Sequence, residues 1–175
     1  SIDYAAMAKR KDVVVGTLRQ GVQGLLKANG VTVYEGQASF ASRTRVAVEA
    51  AEGTLYLRAD KIIVASGSTS AMPGFLPDHE RVMDSRAFLE LTALPESLLV
   101  LGGGYIGCEL ACMAAALGVK VTVVELLEDI LLLLDKDVRK VVRGHMEKEL
   151  GIEILTGHAL EDIQADDRGA RGRAG

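Results

Sequence analysis

Apolar residues recur at three- and four-residue steps between Asp12 and Asn29, at Val14, Val15, Leu18, Val22, Leu25 and Leu26, and Gly30 follows them. That periodicity predicts an amphipathic helix with a glycine as its C-terminal cap. The pattern then shortens. The runs "VTVYEG", "QASFAS", "RVAVEA" and "TLYLRAD" are β-rich and separated by polar or glycine-containing turns, which predicts a small antiparallel meander. "KIIVASG" is instead apolar throughout until a small-residue turn, the pattern of a strand buried on both faces of a parallel sheet.

Pro73, Pro77 and Pro95 fall between Ser66 and Ser97, where the helical pattern is confined to "DSRAFLEL". This segment is expected to connect two domains. From Leu98 the order is strand, glycine turn, helix, strand, then a helix from about Lys136 to Leu150 and a strand "IEIL". Such alternation predicts an α/β fold, a parallel sheet with crossover helices on both faces. The closing "ADDRGARGRAG" has no apolar periodicity and is expected to be a ragged or disordered end. The expected organisation is a first domain over residues 1–75, a connection over 76–96, and a second domain over 97–175 whose last residues, 160–175, are the ragged end.

Composition adds exclusions. In 175 residues, 49% hydrophobic and 25% charged, one or two globular domains fit. Twenty Lys and Arg against 24 Asp and Glu give a net charge of −4, which argues against a nucleic-acid partner. The longest aliphatic run, "ILLLL" between Asp129 and Asp135, is far short of the ~20 residues of a membrane helix. The N-terminus lacks the apolar core of a secretory signal, so the expected setting is the cytoplasm or an organelle matrix.

Gly102, Gly104 and Gly107 form a G-x-G-x-x-G directly after the strand "SLLVLG" and at the start of the helix "YIGCELACMAAAL". In this context the first glycine permits the tight turn, the second lets a pyrophosphate approach the backbone, and the third allows close helix–strand packing. The N–H groups of the helix N-terminus, around Tyr105 and Ile106, then face the anion. Glu125 ends the next strand 23 positions after Gly102, near the roughly 20 expected for a carboxylate that binds a ribose diol. It would repel a 2′-phosphate, so NAD is favoured over NADP. A glycine-rich turn alone is also found where a strand merely packs on a helix; here strand, glycines, helix, second strand and acid agree.

With "VLGGGYIGCELA", "VTVVE" downstream and "KIIVASGSTSAMPG" upstream, the chain resembles the flavoprotein disulfide reductases, the dihydrolipoyl dehydrogenase branch above all. The resemblance runs from the start to about Thr156. It implies a partial FAD-binding domain followed by a partial Rossmann-like NAD-binding domain, with FAD and NAD as cofactors. It also implies that Ala65, Ser66 and Gly67 approach the FAD, that Gln37 and Ala38 lie beside its adenine, and that Glu109 stands near nicotinamide and flavin. A solvated first-turn carboxylate is the other reading of Glu109. In the complete enzyme the resemblance implies a homodimer, a dihydrolipoamide-bearing protein as partner, and reduction of NAD.

The family's electron path needs a Cys-x-x-x-x-Cys pair, whereas the cysteines here are Cys108 and Cys112, four apart. They read as small apolar residues packing a helix, with a redox pair or half a metal site as the rival reading. His79, His145 and His158 read as exposed surface residues, so no catalytic residue and no metal ligand is assigned. The chain as given is expected to be inactive by itself. Alternatives are a sibling reductase of the transhydrogenase, glutathione or mercuric type, and a dinucleotide-binding module without turnover.

Overall fold

In the computed structural model, which describes residues 2–175, the first helix α1 runs Tyr4–Ala28, eight residues further upstream than the periodicity indicated. Asp3 Oδ1 accepts the Ala6 N–H at 3.0 Å, an N-cap bond, and the Ala-, Met- and Lys-rich first turns are strong helix formers whose polar pattern hides them. The end is as expected. Gly30, at φ 69, donates to Lys27 at 3.1 Å and Val31 donates to Leu26 at 3.0 Å, which together form a Schellman cap.

The described chain divides into two compact units, residues 11–69 and residues 70–175 with 2–10. The first holds an antiparallel meander of β1 (Gln37–Ser42), β2 (Arg45–Ala50) and β3 (Gly53–Arg58), in that order. Val48 lies opposite Ala38 on one side and Leu55 on the other, and Val46 opposite Phe40 and Leu57, so one face gathers the apolar side chains. On the other face the Arg45 guanidinium stands 4.2 Å from the centre of the Tyr56 ring.

Two runs expected as strands are not strands. "VTVYEG" and "KIIVASG" join no ladder, and Ile63 is 91% exposed. Their β-propensity is real, but a strand exists only with a partner, and these segments have none among the described residues.

The second unit carries a parallel sheet of β4 (Ser97–Leu101), β5 (Lys120–Glu125) and β6 (Glu153–Thr156), in order β4-β5-β6. Helix α3 (Tyr105–Ala116) connects β4 to β5 and α4 (Lys136–Lys148) connects β5 to β6. This is the α/β alternation expected. Val121, Val123, Ile152 and Ile154 from the sheet side meet Cys108, Ala111 and Ala114 of α3 and Met146 of α4 in one core. The small residues of α3 let the helix lie close to the strands.

Segment 76–96 is more than a connection. It forms α2 (Ser85–Glu90), N-capped by Asp84 through the Ala87 N–H at 2.8 Å, and plants Phe88, 3% exposed, in the core of the second unit. The expectation of a disordered end is overturned as well. Residues 160–175 contain a hairpin, β7 (Leu160–Asp166) and β8 (Gly169–Ala174). Asp166 Oδ1 closes its turn by accepting from Arg168 at 2.9 Å and Gly169 at 3.2 Å. Arg173 spans to Glu161 at 3.0 Å and to Asp162 at 3.2 Å. Main-chain bonds and charged pairs hold this hairpin, so no apolar alternation announced it.

Candidate functional site

The β4 ladder continues one residue past the strand, with Gly102 donating to Val124 at 2.8 Å, and the chain then turns sharply into α3. Gly102 has φ 103, backbone that an L side chain rarely adopts. Gly104 is the N-cap of α3, and a side chain built there would meet nothing within 4 Å. At Gly107 a Cβ would collide with the Gly102 carbonyl oxygen and lie 3.3 Å from Val100 Cγ1. Turn, open approach and close packing therefore fall on the glycines that the spacing singled out. The N–H groups of the first turn of α3 have no intrahelical acceptor, and no side chain caps them at Gly104.

Glu125, at the end of β5, reaches this turn. Its Oε2 accepts the Gly103 N–H at 2.6 Å and its Oε1 the Leu127 N–H at 2.8 Å. Tyr105, Ile106 and Glu109 are exposed on the near end of α3. The structure thus brings Gly102, Gly104, Tyr105, Ile106, Gly107 and Glu125 together at the C-terminal ends of β4 and β5, where open α/β sheets bind ligands. Gln37 and Ala38, on β1, and Ala65, Ser66 and Gly67, in exposed irregular backbone, belong to the other unit. Gly67 has φ 75, a turn conformation that suits its place after an apolar run.

Residues that the sequence reasoning passed over brace the turn. In the β5–α4 segment Ile130 and Leu131 are buried, and the Leu131 N–H donates to the Gly103 carbonyl at 2.8 Å. Asp129 anchors the same segment to α4 through Arg139 at 2.8 Å and Arg143 at 2.9 Å. Burial alone would raise the Asp129 pKa, but the hydrogen bond from Arg143, the Ile130 N–H and the two guanidinium charges outweigh it and hold it below its ordinary value. The signal for Gly103 was present: the triplet Gly102–Gly104 has one glycine more than the motif requires.

Cys108 is buried and Cys112 half-buried, both as free thiols. Desolvation, with smaller contributions from Cys112 and Glu125, raises the Cys108 pKa to about 11. Its Sγ donates to the Gly103 carbonyl at 3.4 Å. His145 is exposed as expected, whereas His79 and His158 are half-buried; His79 Nδ1 accepts the Arg81 N–H at 3.2 Å and His158 Nδ1 lies 2.8 Å from the Thr156 carbonyl. Among the described residues no group of three or more His, Cys, Asp or Glu side chains could hold a metal ion, and no helix is long and apolar enough to cross a membrane.

Residues 2–173 match the family described as pyridine nucleotide-disulphide oxidoreductase. The chain belongs to that family. It is 41% identical over 172 residues to the dihydrolipoyl dehydrogenase of Chlamydia pneumoniae, across 98% of this chain and 37% of that protein. Against the dihydrolipoyl dehydrogenase of Bacillus subtilis the identity is 36% over 176 residues, across 100% of this chain and 38% of the relative. Among solved structures, the Cu(II) complex of the HOCl-induced flavoprotein disulfide reductase RclA from Escherichia coli has a TM-score of 0.89 at 30% identity, over 99% of this chain and 40% of that one. The chain therefore spans well under half the length of the relatives it matches, and those dihydrolipoyl dehydrogenases are oxidoreductases.

Proposed function

We propose that this chain is the central, cofactor-binding part of an FAD- and NAD-dependent dihydrolipoyl dehydrogenase, an enzyme that oxidises dihydrolipoamide and reduces NAD. The observation that carries the reading is the glycine turn with Glu125 set against it. An anion can reach the backbone over Gly104 because nothing occupies that space, and the free N–H groups of α3 supply its hydrogen bonds without a cation. The residues present fit a dinucleotide pyrophosphate. Gly102, Gly104, Tyr105, Ile106 and Gly107 would hold it, Glu125 would accept from the adenosine ribose, and Glu109 would lie toward the nicotinamide end.

On the FAD side, Ala65, Ser66 and Gly67 would approach the flavin nucleotide, with Gln37 and Ala38 beside its adenine. The exposed backbone at both places leaves room for that contact. When bound, nicotinamide and flavin supply the hydride chemistry; this chain's own residues bind and orient. The resemblance extends the proposal to a homodimer served by a dihydrolipoamide-bearing protein. A sibling flavoprotein disulfide reductase is the second reading, favoured by the likeness to RclA.

The test is a calorimetric titration of the chain with NADH and with NADPH. NADH is expected to bind at least five-fold more tightly, because the Glu125 carboxylate attracts a ribose diol and repels a 2′-phosphate. Glu125→Ala should narrow that ratio. Equal or tighter NADPH binding by the unmutated chain would overturn the assignment.

A further inference from the structure

Gly103 is the position that the dinucleotide fingerprint leaves unspecified, yet it is heavily constrained here. Its N–H is held by Glu125 Oε2 at 2.6 Å. Its carbonyl accepts from the Leu131 N–H at 2.8 Å and from Cys108 Sγ at 3.4 Å. A Cβ at this residue would stand 2.5 Å from Ile130 Cγ2 and 3.3 Å from Glu125 Cβ. Three segments thus converge on this one residue of the turn after β4: the end of β5, the β5–α4 segment and the first turn of α3. Leu131 itself holds φ 53, a left-handed conformation that a leucine rarely adopts, as is found where surroundings over-determine the backbone.

We propose that Glu125 is a positioning residue for the glycine turn, acting through Gly103, so that its carboxylate sets the affinity for the pyrophosphate as well as for the ribose. The affinity half of this proposal rests on the dinucleotide reading of the site. Two N–H groups, from Gly103 and Leu127, face the two oxygens of one side chain, and only a carboxylate presents acceptors to both. An amide would set its NH2 against one of them, leaving either the part-buried Gly103 N–H or the exposed Leu127 N–H without its side-chain acceptor. Gly103 has to lack a side chain for a reason other than phosphate approach: a methyl group there would push Glu125 and Ile130 off the turn. Glu125 thus holds the Gly102–Gly103 peptide, while Leu131 and Cys108 hold the Gly103–Gly104 peptide; with both planes fixed, the dihedrals of Gly103 are set, and with them the direction of the Gly104 N–H and the entry into α3.

The experiment separates positioning from ribose binding by using a ligand without ribose hydroxyls. The 175-residue chain, E125Q and G103A are titrated with 2′,3′-dideoxyadenosine 5′-diphosphate and with NADH, and amide hydrogen exchange is measured on each protein without ligand. We expect both variants to bind the dideoxy nucleotide at least five-fold more weakly. In E125Q the Gly103 amide should exchange at least ten-fold faster, while the helical signal in circular dichroism stays unchanged. A residue that only reads the ribose would leave dideoxy-nucleotide affinity within two-fold, or raise it by removing a negative charge near the phosphates. Either of those results, or unchanged Gly103 exchange, would overturn the proposal. Should E125Q not fold, E125D replaces it, because an aspartate keeps the charge but draws it one methylene back from Gly103. If the unmutated chain binds neither ligand while Gly103 exchange still accelerates in E125Q, the dinucleotide reading falls and the positioning of the turn by Glu125 stands.

Discussion

Burial makes the Cys108 thiol a buttress of the glycine turn. Its pKa, raised to about 11 from an ordinary 9.0 chiefly by desolvation, is linked to folding. The unfolded thiol ionises first as pH rises, so the contribution of the neutral buried form is complete below about pH 9 and is lost between about pH 9 and 11. At roughly 1.4 kcal/mol per unit the loss is at most about 3 kcal/mol. Denaturant titrations should show stability falling over that window, and Cys108→Ala should flatten the fall; an unchanged pH dependence would refute the buttress. At this scale the sequence was legible wherever a motif gives each position a duty. Gly102, Gly104 and Gly107 sit as their spacing required, and Glu125 lies at the turn. Ile130 and Leu131 were not legible, and of Gly103 only the extra glycine showed, because their constraint comes from segments that only the fold brings together.

At the scale of elements, α3, α4 and strands β4 to β6 of the second unit followed from hydrophobic periodicity, since each packs by burying one face. The β5–α4 segment did not. "ILLLL" looks uniformly apolar, yet Ile130 is fully buried while Leu133 is 86% exposed, and what orders the segment is polar: the Asp129 carboxylate between Arg139 and Arg143. These side chains are only 15–28% exposed, so the pairs are worth more than surface ones. Asp129→Asn should destabilise the chain by about 1–3 kcal/mol at pH 7, measured by urea unfolding. The carboxylate's folded pKa lies below its unfolded value, so its contribution is complete above the unfolded pKa and disappears as pH falls through the folded one. Wild type and variant should accordingly converge below about pH 4. The charged hairpin β7–β8 escaped sequence reading for the same reason: ion pairs leave no periodic trace. "VTVYEG" and "KIIVASG" show the converse, strong β-propensity without a ladder to satisfy it.

Across the whole molecule, catalysis as proposed needs more than this chain carries. A hydride passes only when flavin and nicotinamide are held within near-attack distance, and dihydrolipoamide oxidation in this family calls for a cysteine pair at a spacing that Cys108 and Cys112 do not have. Both thiols are instead engaged in α3, and the raised pKa of Cys108 leaves little thiolate at neutral pH to attack a disulfide. The apolar face of α1, with Leu18 and Leu25 at 66% and 65% exposure, and the unpaired runs around Val33 and Ile63 present surface that favours self-association. Purified as 175 residues, the chain should therefore retain little flavin, show association that grows with concentration in sedimentation, and give no NADH from dihydrolipoamide and NAD even with added FAD. NADH binding should survive, because the glycine turn, Glu125 and their braces all lie within one unit. A yellow preparation with stoichiometric FAD and steady NADH production would defeat the expectation, since it would require a complete flavin shell, of which the proposal gives these residues only part, and a redox pair other than Cys108 and Cys112.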